Sequence, residues 1–168
     1  MQMQLTEGKQ KFISSWGDLA TQWGITKTMG QIHALLMLSS KAMNADMIMD
    51  ELQISGGNAN MNIRALLEWE LLQKKTVIGD RKDYFVAEKD FWIIFKKIVE
   101  HRKKKELDPL ISLLEEISEV GPNCNESKEF CKVVKELKLF SSKADSALEN
   151  VMNSKANWLI GSYFKMMR

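Results

Sequence analysis

The chain has 168 residues, 45% of them hydrophobic and 27% charged, which suits one globular domain or a small domain with a helical extension. Two prolines and nine glycines leave little room for a turn-rich fold of many strands, and two cysteines, Cys124 and Cys131, exclude a disulfide framework and favour a reducing compartment. Net charge is only +2, with nine Lys/Arg against ten Asp/Glu in residues 1–88, so a nucleic-acid surface has to be a local patch. The N-terminal residues show no basic segment followed by an apolar run, and no stretch approaches ~18 uncharged apolar residues. Neither a signal peptide nor a membrane span is expected, and the expected location is cytoplasmic.

Phe12, Trp16, Leu19, Ala20 and Trp23 share one stripe of a 3.6-residue period, predicting a first helix that Gly24 stops. Met29, Ile32, Leu35 and Leu36 predict a second helix to about Ser40. Asn44 is placed to cap a short third helix over 45–52, and Ser55 to cap a fourth over 56–69. A short helix, a tight turn at Gln53-Ile54 and a second helix make a helix-turn-helix. The period then changes. Residues 75–78 and 84–86 are β-branched and aromatic, and the Gly79-Asp80-Arg81-Lys82-Asp83 segment between them suits a hairpin loop. Beyond Asp90 the pattern is helical. Phe91, Trp92, Phe95 and Ile98 line one face and lead into the basic run Arg102–Lys105; Pro109 interrupts the pattern or begins the next segment. Leu110, Leu113, Leu114, Ile117 and Val120 are spaced for a buried face, Gly121-Pro122-Asn123 is a loop, and apolar positions recur from Phe130 to Tyr163. The expected fold is mainly α with a small β-hairpin wing. Residues 1–88 would form a winged helix-turn-helix and residues 89–168 a helical extension; the apolar surplus of the N-terminal helix and of this tail suits dimerisation.

If Ile63 faces the core with Ala59 and Leu66, the other side of the fourth helix shows Gly57, Asn58, Met61, Asn62, Arg64 and Ala65. Asn pairs bidentately with adenine and Arg with guanine at major-groove edges, while Met meets the thymine methyl. Gly56 and Gly57, following the capping Ser55, form helix poorly but let backbone approach a phosphate closely at a helix N-terminus. Arg81 and Lys82 at the hairpin tip, with Lys74 on the incoming strand, suit phosphates and a narrow minor groove. The expected DNA-binding set is therefore Ser55, Gly57, Asn58, Met61, Asn62, Arg64, Lys74, Arg81 and Lys82. The bland reading is an Asn-rich solvated helix beside a charged turn. Three Asn residues on one short helix argue against it, since Asn forms helix poorly. The Arg102–Lys105 run reads more simply as a solvated face.

The stretch Ser55-Gly56-Gly57-Asn58-Ala59-Asn60-Met61-Asn62-Ile63-Arg64-Ala65-Leu66, followed by Glu68-Trp69 and by Gly79-Asp80-Arg81-Lys82-Asp83-Tyr84-Phe85, resembles the MarR-type winged-helix regulators. Within them it is similar to the GbsR-like branch, repressors of osmoprotectant genes. The resemblance covers roughly residues 5–107. Glu70 departs from it by standing where a helix-ending glycine is usual, and Gln31 by standing where Arg is common. The resemblance implies a homodimer whose N- and C-terminal helices pack together in the interface, a pseudo-palindromic double-stranded DNA operator, and a small-molecule effector such as a quaternary ammonium, with residues 89–168 as the dimerisation and effector extension. It names no residue for the effector. An aromatic cage would have to draw on Trp23, Trp69, Trp92, Trp158 or Tyr163, each of which reads more simply as core.

Catalysis is not expected. His33 and His101 lie on separate helices, and no His-Glu-x-x-His, Gly-x-Ser-x-Gly or phosphate loop is present. No cofactor and no metal site is expected, the methionines reading as core filler. The competing function is a winged helix that binds only protein, since fold does not fix function. Cys124 and Cys131 read as inert thiols, redox sensing requiring an exposed thiolate of low pKa.

Overall fold

A computed structural model describes residues 3–154, so Trp158, Leu159 and Tyr163 lie outside the described residues. The chain divides into two compact units, Met1–Ile94 and Phe95–Arg168. The division falls six residues beyond the 88/89 boundary read from the sequence, inside a helix.

The first unit begins with α1 (Leu5–Gln22) and α2 (Lys27–Leu38). Gly24 ends α1 with φ +76°, while Ile25 N–H reaches back to the Ala20 carbonyl at 3.0 Å. α2 is the core of the unit, with Met29 to Met37 almost continuously buried, which explains why its apolar content outruns a one-sided stripe. It crosses α1 at Gly17 and Gly30. A Cβ on Gly30 would sit 2.6 Å from the Ala20 Cβ and 3.0 Å from the Gly17 Cα, so only glycine lets the two backbones meet. Beside this crossing lies His33, 3% exposed, its ring 6.3 Å from that of Trp16. Burial alone pulls its pKa from 6.5 to about 4, and its Nε2 has no hydrogen-bond partner among the described residues.

There follow β1 (Met43–Asn44), α3 (Ala45–Leu52), α4 (Gly56–Glu68), β2 (Leu72–Lys75) and β3 (Tyr84–Ala87). The strands form one antiparallel sheet in the order β1-β3-β2, with Met43 opposite Phe85 and Lys75 opposite Tyr84. The hairpin lies where its local signals put it, but its first strand does not. Pairing starts at Leu72 and ends at Lys75, so Val77 and Ile78 lie in the loop instead of in a strand. Buried Leu71 and Leu72 set this register, because they anchor the strand in the core while Val77 and Ile78 face solvent. Strand β1 has no periodicity to betray it and is visible only in the fold. Glu70, between α4 and β2, takes φ +56°. It adopts the left-handed conformation a glycine would occupy more easily, at a cost of ~1–2 kcal/mol.

The second unit contains the end of α5 (Phe91–Arg102), a π-helical turn (Lys103–Leu107), α6 (Asp108–Ile117) and α7 (Asn125–Asn153). Pro109 is the second residue of α6, which continues directly from the π-helical turn; lacking an N–H, it makes no hydrogen bond back to that turn. The Lys103 ammonium lies 2.8 Å from Asp145 of α7 and 2.9 Å from Asp108, and these carboxylates hold it above the ordinary lysine range. Leu114, Val134 and Ser141 are buried. Leu113 and Val120, expected on a buried face, are exposed, as are Phe130 and Leu137 of α7, because two helices can cover only one stripe of each other. Cys124 caps α7, the Ser127 hydroxyl and N–H drawing its thiol below the usual range, and Cys131 donates to the Val120 carbonyl at 3.0 Å. Among the described residues no helix is long and apolar enough to cross a membrane.

Candidate nucleic-acid interface

The candidate surface lies on α3, α4 and the β2–β3 hairpin. Asn44 accepts from the Met47 N–H at 3.0 Å and caps α3. Gln53 then turns the chain at φ 51°, and the Ser55 hydroxyl accepts the Asn58 N–H at 3.4 Å to start α4. Ala59, Ile63 and Leu66 are buried along one side of α4, as their spacing requires. Its exposed stripe is Gly57, Asn60, Met61, Arg64 and Glu68. Met61 is 60% exposed, although it is apolar. Arg64 has no carboxylate partner among the described residues.

Asn62 does not belong to this stripe. It is 2% exposed, and its amide is consumed inside the unit. Thr26 Oγ1 donates to Asn62 Oδ1 at 2.6 Å, and Asn62 Nδ2 donates to the carbonyl of Asn58 at 2.8 Å and to its Oδ1 at 2.7 Å. Thr26 also caps α2 by accepting the Met29 N–H at 3.1 Å. Asn58, half-buried, donates to Thr28 Oγ1 at 3.3 Å. The two asparagines expected at base edges thus tie α4 to the start of α2. Asn60, absent from the expected set, takes the exposed place, with one N–H on the Gly56 carbonyl at 2.9 Å. The helical period of α4 is legible in the sequence. Which neighbour of Ile63 turns inward depends on the hydroxyl of Thr26, thirty-six residues away.

The hairpin loop is held by its own carboxylates. Asp80 accepts from the Lys82 N–H and the Tyr84 hydroxyl, both at 2.9 Å, and these donors keep its carboxyl below the usual range. Lys82 Nζ lies 2.8 Å from Asp46 of α3, which raises its pKa, and Lys74 Nζ lies 2.7 Å from Asp83. Lys74 and Lys82, expected as free phosphate contacts, are both ion-paired on the surface, whereas exposed Arg81 and Lys75 have no carboxylate partner among the described residues.

A similar chain, described as the HTH-type transcriptional repressor GbsR of Bacillus subtilis (strain 168), is 25% identical over 112 residues. The match covers 67% of this chain and 62% of that relative, so the chain spans under two thirds of its length. No family model matches. A crystal structure described as that of a transcriptional regulator superposes with a TM-score of 0.68 at 15% identity, over 86% of this chain and 95% of the other. The fold is a winged helix.

In this winged helix, α4 occupies the second position of the helix-turn-helix and the 76–83 loop is the tip of the wing. The first unit brings Ser55, Gly57, Met61 and Arg64 onto one exposed surface of α4 and its cap, and places Lys74, Arg81 and Lys82 on the hairpin. A groove of about 330 Å³ lies elsewhere in the unit, with Ile13, Leu35, Leu38 and Met43 as apolar walls and Lys9 and Glu51 among its polar ones. It contains no aromatic ring and so lacks the cage chemistry that a quaternary ammonium requires. No group of three or more His, Cys, Asp or Glu among the described residues is placed to hold a metal ion.

Proposed function

We propose that this winged helix is a MarR-type transcriptional repressor that binds duplex DNA in the cytoplasm as a homodimer and acts by binding, without catalysis. The observation that carries the reading is the exposed stripe of α4, where Asn60, Met61 and Arg64 line a surface free of acidic partners up to Glu68. A helix of this kind in the second position of a helix-turn-helix suits the major groove. The relative's description as a repressor supports the regulatory half of the reading, and GbsR-like membership rests on that single match. Arg64 would address guanine and Met61 a thymine methyl, while Ser55 and the backbone at Gly57 would hold a phosphate. Asn58 and Asn62 are assigned to positioning α4 rather than to bases.

The test is affinity on operator DNA selected from the genome and on scrambled DNA, at two salt concentrations. Arg64→Ala is expected to cost ~1–3 kcal/mol on the operator and to leave scrambled DNA nearly unchanged. Lys82→Ala should weaken both alike and reduce the salt slope by roughly one for each phosphate left without its cation. The paired Asp46 moderates this effect, since phosphate has to displace it. Equal weakening on both DNAs from Arg64→Ala would remove α4 as the reader. Binding that ignores ionic strength would favour a protein-binding winged helix instead.

The dimer is argued from uncovered apolar surface. Phe91 in α5 and Phe130, Val133, Leu137 and Phe140 in α7 are exposed, Phe140 by 70%. Such faces seek a partner, and twofold pairing is the commonest solution. Light scattering at low micromolar concentration should return twice the 19.3 kDa chain mass. A monomer there would refute it. An effector that loosens DNA binding completes the proposal, with choline and glycine betaine as the compounds to titrate against the operator complex.

A further inference from the structure

The wing tip carries a side chain that the DNA-binding reading leaves unused. Ile78 is 101% exposed, a β-branched apolar residue in open water at the outermost turn of the hairpin. Its presentation is built. Asp80 N–H bonds back to the Val77 carbonyl at 3.1 Å, and Gly79 at φ +88° completes the turn, leaving Ile78 at its first corner. Behind the tip the Asp80 carboxylate ties Lys82 and Tyr84 together, Lys74 meets Asp83, and Lys82 anchors the loop to Asp46 of α3. The apolar tip is thus carried on a base cross-linked by these contacts.

We infer that Ile78 is an apolar wedge that enters the minor groove of the bound duplex and leans on a base step, so that the protein favours a flexible pyrimidine–purine step beneath the wing. This rests on the DNA-binding reading above. The chemistry around the tip selects the partner. Lys75 at the end of β2 and Arg81 in the loop lie on either side of Ile78 in the chain; both are exposed, lack carboxylate partners among the described residues and suit the phosphate rims of a groove. A minor groove ~6 Å wide admits one side chain of this size between those rims. Wedges of Ile, Leu, Phe or Met that unstack a step are a known device of minor-groove binders, and pyrimidine–purine steps yield most easily. A protein partner is the poorer fit, because a stable protein interface buries over ~1,000 Å² and a single apolar side chain with two nearby cations in the chain supplies a small part of that.

The experiment uses the full chain on its selected operator with 2-aminopurine placed in turn at each step under the wing, comparing wild type with Ile78→Ala and Ile78→Ser. Ile78 makes no contact that folding needs, and circular dichroism checks that the variants fold. Wild type should raise the fluorescence several-fold at one step per half-site. Ile78→Ser should abolish that rise and weaken the operator about tenfold, with the salt slope and the effect of Arg64→Ala both kept. Replacing the pyrimidine–purine step by a stiff one should weaken wild type and leave Ile78→Ser unchanged. Tight, specific binding with no fluorescence rise, or with Ile78→Ser indistinguishable from wild type, overturns the wedge and spares the DNA-binding reading. Failure of wild type to bind any duplex overturns both. Release of a bound protein by Ile78→Ser, with DNA binding and fluorescence intact, assigns the tip to that protein and also overturns the wedge.

Discussion

Lowering the pH from 7 to about 4 is expected to cost the first unit ~3 kcal/mol of stability through His33 alone. The imidazole is buried beside Trp16, and protonating it would place an imidazolium where its Nε2 meets no acceptor among the described residues. The sign follows from the depressed pKa. The unfolded chain takes up the proton near pH 6.5, whereas the folded chain refuses it until about 4. Above 6.5 both states are neutral and His33 contributes no pH dependence. Between 6.5 and about 4 each unit of pH favours the unfolded state by ~1.4 kcal/mol, and below that window the loss levels off. Carboxylates titrate in the same acid range, so the informative quantity is the difference between wild type and His33→Leu in urea unfolding at each pH. The variant should gain on wild type by ~3 kcal/mol across the window, whatever its stability at pH 7. Parallel curves would show that His33 is solvated or paired in solution. An NMR titration of the His33 ring should agree, with its midpoint near 4.

Asn62→Ala is expected to destabilise the first unit by ~2–3 kcal/mol, because it removes three hydrogen bonds from a buried site and leaves a cavity. Arg64→Ala, two residues on and exposed to solvent, should stay within ~0.5 kcal/mol of wild type. The contrast separates a positioning residue from a reading one. Because Thr26 both caps α2 and donates to Asn62, the destabilisation should appear as a looser seat of α4 against α2. On DNA, Asn62→Ala should then weaken operator and scrambled sequences in similar proportion, without changing which base is preferred at any position. Urea unfolding followed by tryptophan fluorescence gives the stability, and the two DNA affinities give the rest. A wild-type midpoint together with an altered base preference would return Asn62 to the base-contacting surface.

The sequence by itself determined the local elements whose signals lie within a turn or two of the chain. The caps at Asn44 and Ser55, the stop at Gly24, the helix-turn-helix and the existence of a hairpin after it are all local chemistry, and each stands where that chemistry puts it. The buried side of α4 is equally legible, since Ala59, Ile63 and Leu66 follow the helical period. What needed the tertiary structure were choices made by distant partners. Asn62 turns inward for Thr26, leaving Asn60 in its place on the surface. The first hairpin strand takes its register from the burial of Leu71 and Leu72, which sends the strand-like Val77 and Ile78 out into the wing loop. The wing lysines meet Asp46 and Asp83, one across the fold and one across the hairpin, and so lack the freedom their sequence position suggests. In each case the long-range contact that only folding creates decides which residue faces water, and in the hairpin it overrides the stronger local strand propensity of Val77 and Ile78.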